Sequence, residues 1–175
     1  MNIEIKDNVF KQQTIDELYF YYRDYAPWGF YGDGVGGSNW RKFKKEIEMN
    51  NKWDKLLYNK SNLLAKEYGG DKVSFRRGYL GAHVYGMVHD FHYDDIAEDY
   101  NQILTIMFYL NRDWKIQYSG ETVFLTEDWQ DIKESIIPKP GRAVVFDGYI
   151  PHAAREVSRM CVDLRMVATF KYEFK

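Results

Sequence analysis

Residues 161–174 read CVDLRMVATFKYEF. Val162, Leu164, Met166, Ala168 and Phe170 recur at every second position, which places them on one face of an extended strand. Cys161 at its start is then expected to be a packing residue rather than a nucleophile, because buried thiols are usually inert. Working back towards Val73, the same texture repeats in short runs. VSFRRGYL (73–80), HVYGMVHDFHYD (83–94), ILTIMFYL (103–110), TVFL (122–125), IKESIIP (132–138) and RAVVF (142–146) are rich in β-branched and aromatic residues. Turn formers separate them at Asn111-Arg112-Asp113, Ser119-Gly120, Pro138-Lys139-Pro140-Gly141 and Asp147-Gly148. Closely spaced strands of this kind predict an antiparallel sandwich or jelly roll.

The first 70 residues read differently. IDELYFYYRDY (15–25) carries apolar residues at Ile15, Leu18, Tyr19 and Tyr22, the spacing of one helix face, with Asp7 or Thr14 as its cap. A second helix is expected over NWRKFKKEIEM (39–49), capped by Ser38. A third runs to LLAKEY (63–68), stopped by Gly69-Gly70. The expectation is one domain over residues 1–175: a helical N-terminal support to residue 70 and a mainly β core over 71–175.

The chain has 175 residues, enough for one sizeable core and too few for two. Its net charge of −2 argues against broad attraction to nucleic acid or an anionic membrane. No apolar run approaches the ~20 residues needed to span a bilayer, and the N-terminus shows no signal-peptide pattern. One cysteine excludes internal disulfides and multi-cysteine zinc frameworks. A cytoplasmic protein is expected.

The four histidines are His83, His89, His92 and His152. His92 and Asp94 stand two apart, so on a strand both point to one face. His152 follows the strand and turn RAVVFDGYIP. Two imidazoles and one carboxylate on one side of a metal leave three positions open, which suits non-haem Fe(II). His89 has the parity of His83 and the opposite parity to His92, which counts against a three-histidine zinc site. Arg165 lies on the strand that should return beside the metal, where its guanidinium would fork onto a carboxylate. Parity alone leaves it inside or outside.

Taken in order, YGMVHDFHYDD (85–95), ILTIMFYLNRDW (103–114), SGETVFL (119–125), PKPGRAVVFDGYIPHAA (138–154) and DLRMVATFKY (163–172) resemble the prolyl 4-hydroxylase-like group of 2-oxoglutarate/Fe(II)-dependent dioxygenases. The resemblance covers about Phe75 to Tyr172. It departs from the group's pattern in having Ser119-Gly120 for a paired glycine and Arg165 where many members have lysine. It implies a double-stranded β-helix (jelly roll, cupin-like) core buttressed by the leading helices. It assigns iron to His92, Asp94 and His152, and the 2-oxoglutarate C5 carboxylate to Arg165. Tyr85 stands where related enzymes place a hydroxyl that reaches the cosubstrate; a core tyrosine is the other reading. Thr122 reads first as packing and second as pocket-facing. The implied activity is hydroxylation of a peptidyl proline or related peptide or small-molecule substrate, coupled to oxidative decarboxylation of 2-oxoglutarate to succinate and CO2. Fe(II), 2-oxoglutarate and O2 are required, with ascorbate a candidate reductant.

Two other classes share this architecture. A cupin-like isomerase or sugar-binding module would gather three histidines and a glutamate, which this chain does not offer. A non-catalytic jelly-roll binding module would have no need of the ligand set and Arg165. Residues 32–37 fit GxGxxG, but YAPWGFY before them is no hydrophobic strand, so dinucleotide binding is not expected. A connector or a mobile lid is the expectation there. The aromatics at Tyr25, Trp28, Phe30 and Tyr31 are core residues or a stacking surface for a proline ring or a base.

Overall fold

A computed structural model describes residues 3–32, 41–94 and 103–175. Among the described residues ten strands form two sheets. The large sheet contains β1 (Ile3–Lys6), β2 (Gly29–Gly32), β3 (Arg41–Glu46), β4 (Val73–His83), β5 (Ile103–Tyr109), β8 (Ala143–Asp147) and β10 (Arg165–Phe174), in the order β1-β8-β5-β10-β4-β3-β2. The small sheet has the order β7-β6-β9, from β6 (Thr122–Leu125), β7 (Ile132–Ile136) and β9 (His152–Ala154). The pairings within both sheets are antiparallel, so the expected jelly roll is what the chain forms.

Two helices, α1 (Gln12–Asp24) and α2 (Lys52–Gly69), cover the outer face of the large sheet. Leu18, Tyr19 and Tyr22 of α1 and Leu57, Leu64 and Ala65 of α2 pack with Leu80, Ile106, Phe108, Val145, Met166, Ala168 and Phe170. The inner face presents the other parity, with Met107, Tyr109, Val144, Phe146 and Val167 meeting Phe124 and Ile136 of the small sheet. The alternation in the last strand thus sets its direction. Even positions bury against the helices, and Arg165, Val167, Thr169 and Lys171 face the space between the sheets.

The N-terminal third is less helical than expected. Ile3–Lys6 pairs with β8 at one edge of the large sheet. Arg41–Glu46 is a strand registered on β4, not a helix. Its lysines obscure a period of two. Phe43 packs against the helix-side cluster and Lys45 is buried beside α2, while Lys42 and Lys44 face the other way. Ser38, its expected cap, lies outside the described residues. The α1 cap position is Lys11, with no side-chain hydrogen bond. Asp7 instead pairs with Arg142 at 2.7 Å, and Thr14 lies within the helix. Asn51 caps α2, accepting from the Trp53 and Asp54 amides at 2.9 and 3.2 Å. Gly70 ends it at φ +57°, so the glycine pair stops the helix as expected.

Two further stretches expected as strand are not. Residues 84–91 turn, with Gly86 at φ +85°, and only His92 bridges to His152. Cys161–Leu164 precedes β10. Val162 is 94% exposed there, and Cys161 is half-buried, with burial raising its thiol pKa.

One buried charge ties β3 to both helices. The Asp54 carboxylate accepts from Lys45 Nζ at 2.6 Å, Tyr22 Oη at 2.7 Å and the Glu48 amide at 2.8 Å. Removing one partner of such a group leaves the other charge buried and uncompensated. Asp54→Ala is expected to cost about 3–5 kcal/mol of stability, read as a lowered urea midpoint.

Candidate metal centre

His92 reaches the site through two backbone bonds to β9, His92 N to the His152 carbonyl at 3.1 Å and His152 N to the His92 carbonyl at 3.0 Å. The Asp94 amide then donates to the Gly148 carbonyl at 2.9 Å. A Cβ on Gly148 would lie 3.2 Å from Asp94 Cβ and 2.9 Å from Ile103 Cβ, so the close approach depends on glycine. These bonds put His92, Asp94 and His152 together, with one donor atom from each inside a 4.8 Å cluster. His92 Nε2 is 3.7 Å from Asp94 Oδ1, and His152 Nε2 is 3.7 Å from Asp94 Oδ2.

Hydrogen bonds at the far ring nitrogen fix each imidazole. His92 Nδ1 donates to the Asp90 carbonyl at 3.0 Å and His152 Nδ1 to the Ile150 carbonyl at 2.8 Å. Each Nε2 is therefore left with its lone pair towards Asp94, the tautomer a metal requires. Burial above all pushes the His92 pKa down to about 4, so it is a neutral ligand at neutral pH. Burial would raise the Asp94 pKa, but the charge of Lys171 and the hydrogen bonds from Lys171 and Thr105 hold it well below the usual range. Lys171 Nζ lies 2.7 Å from Oδ1, and Thr105 Oγ1 donates to Oδ2 at 2.7 Å. Two imidazoles and one carboxylate are a donor set that fits Fe(II) and leaves positions open.

A cavity joins these donors to Arg165, lined also by Lys42, Tyr79, His83, His89 and Thr122. Arg165 is 1% exposed and lies in the large sheet opposite His83. Its Nε donates to the Gly120 carbonyl at 2.5 Å and one terminal nitrogen to Thr122 Oγ1 at 2.9 Å, while its carbon centre lies 5.5 Å from the Tyr109 ring centre. Gly120 has φ +74°, and a Cβ there would meet Arg165 Cδ at 3.0 Å, so the SGET turn is shaped around the guanidinium. Among the described residues no carboxylate pairs with Arg165. A buried guanidinium without an anion fits the far end of a dicarboxylate such as 2-oxoglutarate. Thr122 faces the cavity, contrary to the packing expectation.

Tyr85 does not reach this cavity. It follows the end of β4, is 53% exposed and lies 5.7 Å under the Arg159 guanidinium. His83 and His89 take the space instead, with their Nε2 atoms 3.0 Å apart. One terminal nitrogen of Arg165 lies 3.5 Å from His83 Nδ1, which makes that nitrogen the acceptor and His83 Nε2 the donor to His89. Both line the same cavity as His92 but lie outside the three-donor cluster, and since residues 84–91 are not a strand it is the turn, not parity, that places His89. Sequence reasoning missed Lys171, Thr105, Lys42 and Tyr79. Only Lys171 left a signal, since it shares the parity of Arg165 on β10.

The histidine pair makes the fold acid-sensitive. Burial above all, and then neighbouring cations and imidazoles, lowers both pKa values, that of His89 to about 3. The unfolded chain, with an ordinary value of 6.5, therefore takes up protons first. Stability is full above that value and falls as pH drops towards the folded one. At about pH 5 the expected loss is about 2 kcal/mol from buried His83, and less from half-buried His89. The fall in urea midpoint between about pH 7 and about pH 5 should be shallower in His83→Gln.

Among the described residues no helix is long and apolar enough to cross a membrane. No curated protein matches the chain in sequence. Its fold matches solved prolyl hydroxylases. The viral collagen prolyl hydroxylase of Paramecium Bursaria Chlorella virus-1, solved with 2-oxoglutarate, superposes with a TM-score of 0.70 at 18% identity, covering 100% of this chain and 97% of that one. A Pseudomonas putida prolyl-4-hydroxylase gives 0.71 at 15%, covering 99% and 91%. A Trichoplax adhaerens prolyl hydroxylase, in complex with a hypoxia inducible factor peptide fragment, gives 0.70 at 16%, covering 98% and 83%. The model of the 2OG-Fe(II) oxygenase superfamily matches residues 80–172, more than half of the chain. That span runs from β4 to β10 and includes the three donors and Arg165, so the chain belongs to the 2OG-Fe(II) oxygenase superfamily, with Fe(II) and 2-oxoglutarate as its cofactor and cosubstrate.

Proposed function

We propose that this protein is a hydroxylase acting on peptidyl proline or a related substrate, with iron on His92, Asp94 and His152 and the C5 carboxylate of 2-oxoglutarate on Arg165. The observation that carries the reading is one cavity with the three donors at one end and an anion-free buried guanidinium at the other. The matched prolyl hydroxylase folds support proline as the first substrate to try. The chain works as a single oxygenase domain, in which α1 and α2 stiffen the sheet that carries β4 and β10. A reducing, cytoplasmic setting suits both Fe(II) and the free Cys161.

Fe(II), when bound, supplies the redox chemistry that couples oxidative decarboxylation of 2-oxoglutarate, to succinate and CO2, with hydroxylation of the substrate. The residues do the rest. Arg165, held by Thr122, would bind the cosubstrate's far carboxylate and so orient it relative to the donors. Lys171 and Thr105 hold Asp94 ionised and oriented, and the carbonyls of Asp90 and Ile150 hold the two imidazoles in the ligating tautomer. Phe124 and Phe146 pack against the His152 ring at 5.6 and 4.7 Å between ring centres, which keeps water from that side. Proline peptides incubated with enzyme, Fe(II), ascorbate, 2-oxoglutarate and O2 should gain one oxygen on proline, with succinate in step. Succinate formed without hydroxyproline from any peptide would leave the oxygenase and remove proline.

A further inference from the structure

Arg165 is the first residue of β10, so the group proposed to hold 2-oxoglutarate stands at a strand end, where local fraying is cheapest. On one side its backbone pairs with His83, the last residue of β4. On the other side the pairing with β5 ends at Val167 and Tyr109. One more backbone bond follows, from the Leu110 amide to the Met166 carbonyl at 3.0 Å. The chain then leaves the sheet through the bend at Arg112.

From that point a side chain continues the ladder. Carried on by two places, the register sets Asn111 opposite Arg165. Asn111 Oδ1 accepts from the Met166 amide at 2.9 Å, and Nδ2 donates to the Leu164 carbonyl at 2.5 Å. These are the backbone groups on either side of Arg165. In an antiparallel ladder they would be met by the Leu110 carbonyl and the Arg112 amide. One carboxamide stands in for both, because it carries an acceptor and a donor on one planar group, as a peptide does. Asn111 is 0% exposed, so water is poorly placed to replace it.

The guanidinium is thus held from both ends. The Gly120 carbonyl and Thr122 Oγ1 fix its head. Asn111 fixes the backbone from which the side chain springs. The stem between them has little slack, since a Cβ on Gly120 would already meet Arg165 Cδ at 3.0 Å. Asn111 is not among the residues that line the cavity, so its effect on a ligand passes through Arg165.

We propose that Asn111 is the positioning residue of the cosubstrate site, setting the start of β10 so that the Arg165 guanidinium meets the far carboxylate of 2-oxoglutarate. The inference rests on the assignment of that carboxylate to Arg165 made above. Removing the carboxamide frees two buried backbone groups and lets the strand end shift, and a displacement of about 1 Å at such a contact can cost about a hundredfold.

The test compares two ligands on the full chain with Fe(II) under argon. 2-Oxopentanoate has the keto acid end of 2-oxoglutarate and a methyl group in place of the far carboxylate. The ratio of their Kd values therefore reads what that carboxylate gains from Arg165. The wild type should prefer 2-oxoglutarate by about a hundredfold or more. In Asn111→Ala the preference should fall by at least about tenfold, while the Kd values for 2-oxopentanoate and Fe(II) change little. A purely structural role would weaken both ligands alike and leave the ratio unchanged. Tyr22→Phe, which loses a buried bond to Asp54 on the helix side, is the control: its urea midpoint should drop and its ratio should not. If Asn111→Ala does not fold, Asn111→Ser carries the test, since its hydroxyl can meet one of the two backbone groups but not span both; a smaller fall in preference is expected. An undiminished preference in the folded Asn111 variant would overturn the positioning role and leave Arg165 in place. No preference in the wild type would remove the carboxylate from Arg165, and the role of Asn111 with it.

Discussion

Asp94→Ala should lose Fe(II) binding and, with it, succinate formation from 2-oxoglutarate. Asp94 is the sole carboxylate of the three-donor cluster, and its charge offsets the metal's. Metal-centred charge stabilisation is worth several kcal/mol, and each 1.36 kcal/mol is tenfold, so turnover should fall by about three orders of magnitude or more. The fold should survive in part, because Lys171 loses a partner while the backbone bond from residue 94 to the Gly148 carbonyl remains. Far-ultraviolet circular dichroism alongside succinate assays separates lost metal from lost structure. Asp94→Asn keeps the Thr105 hydrogen bond and shape but not the charge, and should bind iron weakly too. Full turnover in either variant would remove Asp94 from the ligand set.

Arg165→Ala is the second large effect. It should weaken 2-oxoglutarate binding by roughly a hundredfold or more, because charge-assisted hydrogen bonds are worth about 1.5–3 kcal/mol each and a forked pair makes two. Iron binding should be intact, since Arg165 touches no donor. Arg165→Lys keeps a charge and loses the fork, so it should fall between. Stability tells the same story through linkage. In the wild type, 2-oxoglutarate at about 100 times its Kd should add about 2.7 kcal/mol. In Arg165→Ala the same concentration should add little. Without cosubstrate the variant should be close to the wild type in stability, since the lost bonds to Gly120 and Thr122 are offset by no longer burying a guanidinium without an anion.

What could be read from the sequence followed from how periodic each segment is. Along β10 the period of two is unbroken, so the helix-facing residues Met166, Ala168 and Phe170 were legible at once. Which parity Arg165 would serve was not, because alternation says that two faces differ and not which one is wet. The packing of α1 and α2 against the even positions decides it. Arg41–Glu46 failed for a related reason. Its inward Lys45 is neutralised by Asp54 on a helix that follows it, and a lysine-rich run with one phenylalanine resembles a solvated helix until that partner is known. The His92–Asp94 pair was found through strand periodicity although no strand exists there. Two bonds to β9 and one to the turn after β8 impose the extended geometry locally. Tyr85 lies half-exposed outside the lining of the cavity, where the chain turns at Gly86. The glycine-rich segment after Gly32 lies outside the described residues, and so does any role it has as a lid.

On the proposed reading iron and 2-oxoglutarate share one cavity, held at its two ends by the His92–Asp94–His152 donors and by Arg165. An anaerobic titration of the wild type with Fe(II) and then 2-oxoglutarate, followed by visible absorption, tests it most directly. Both should bind to the wild type with a charge-transfer band, Arg165→Ala should take up iron but need far more 2-oxoglutarate for the band, and Asp94→Ala should show neither. Absence of the band in the wild type, or equal 2-oxoglutarate affinity in wild type and Arg165→Ala, would contradict it.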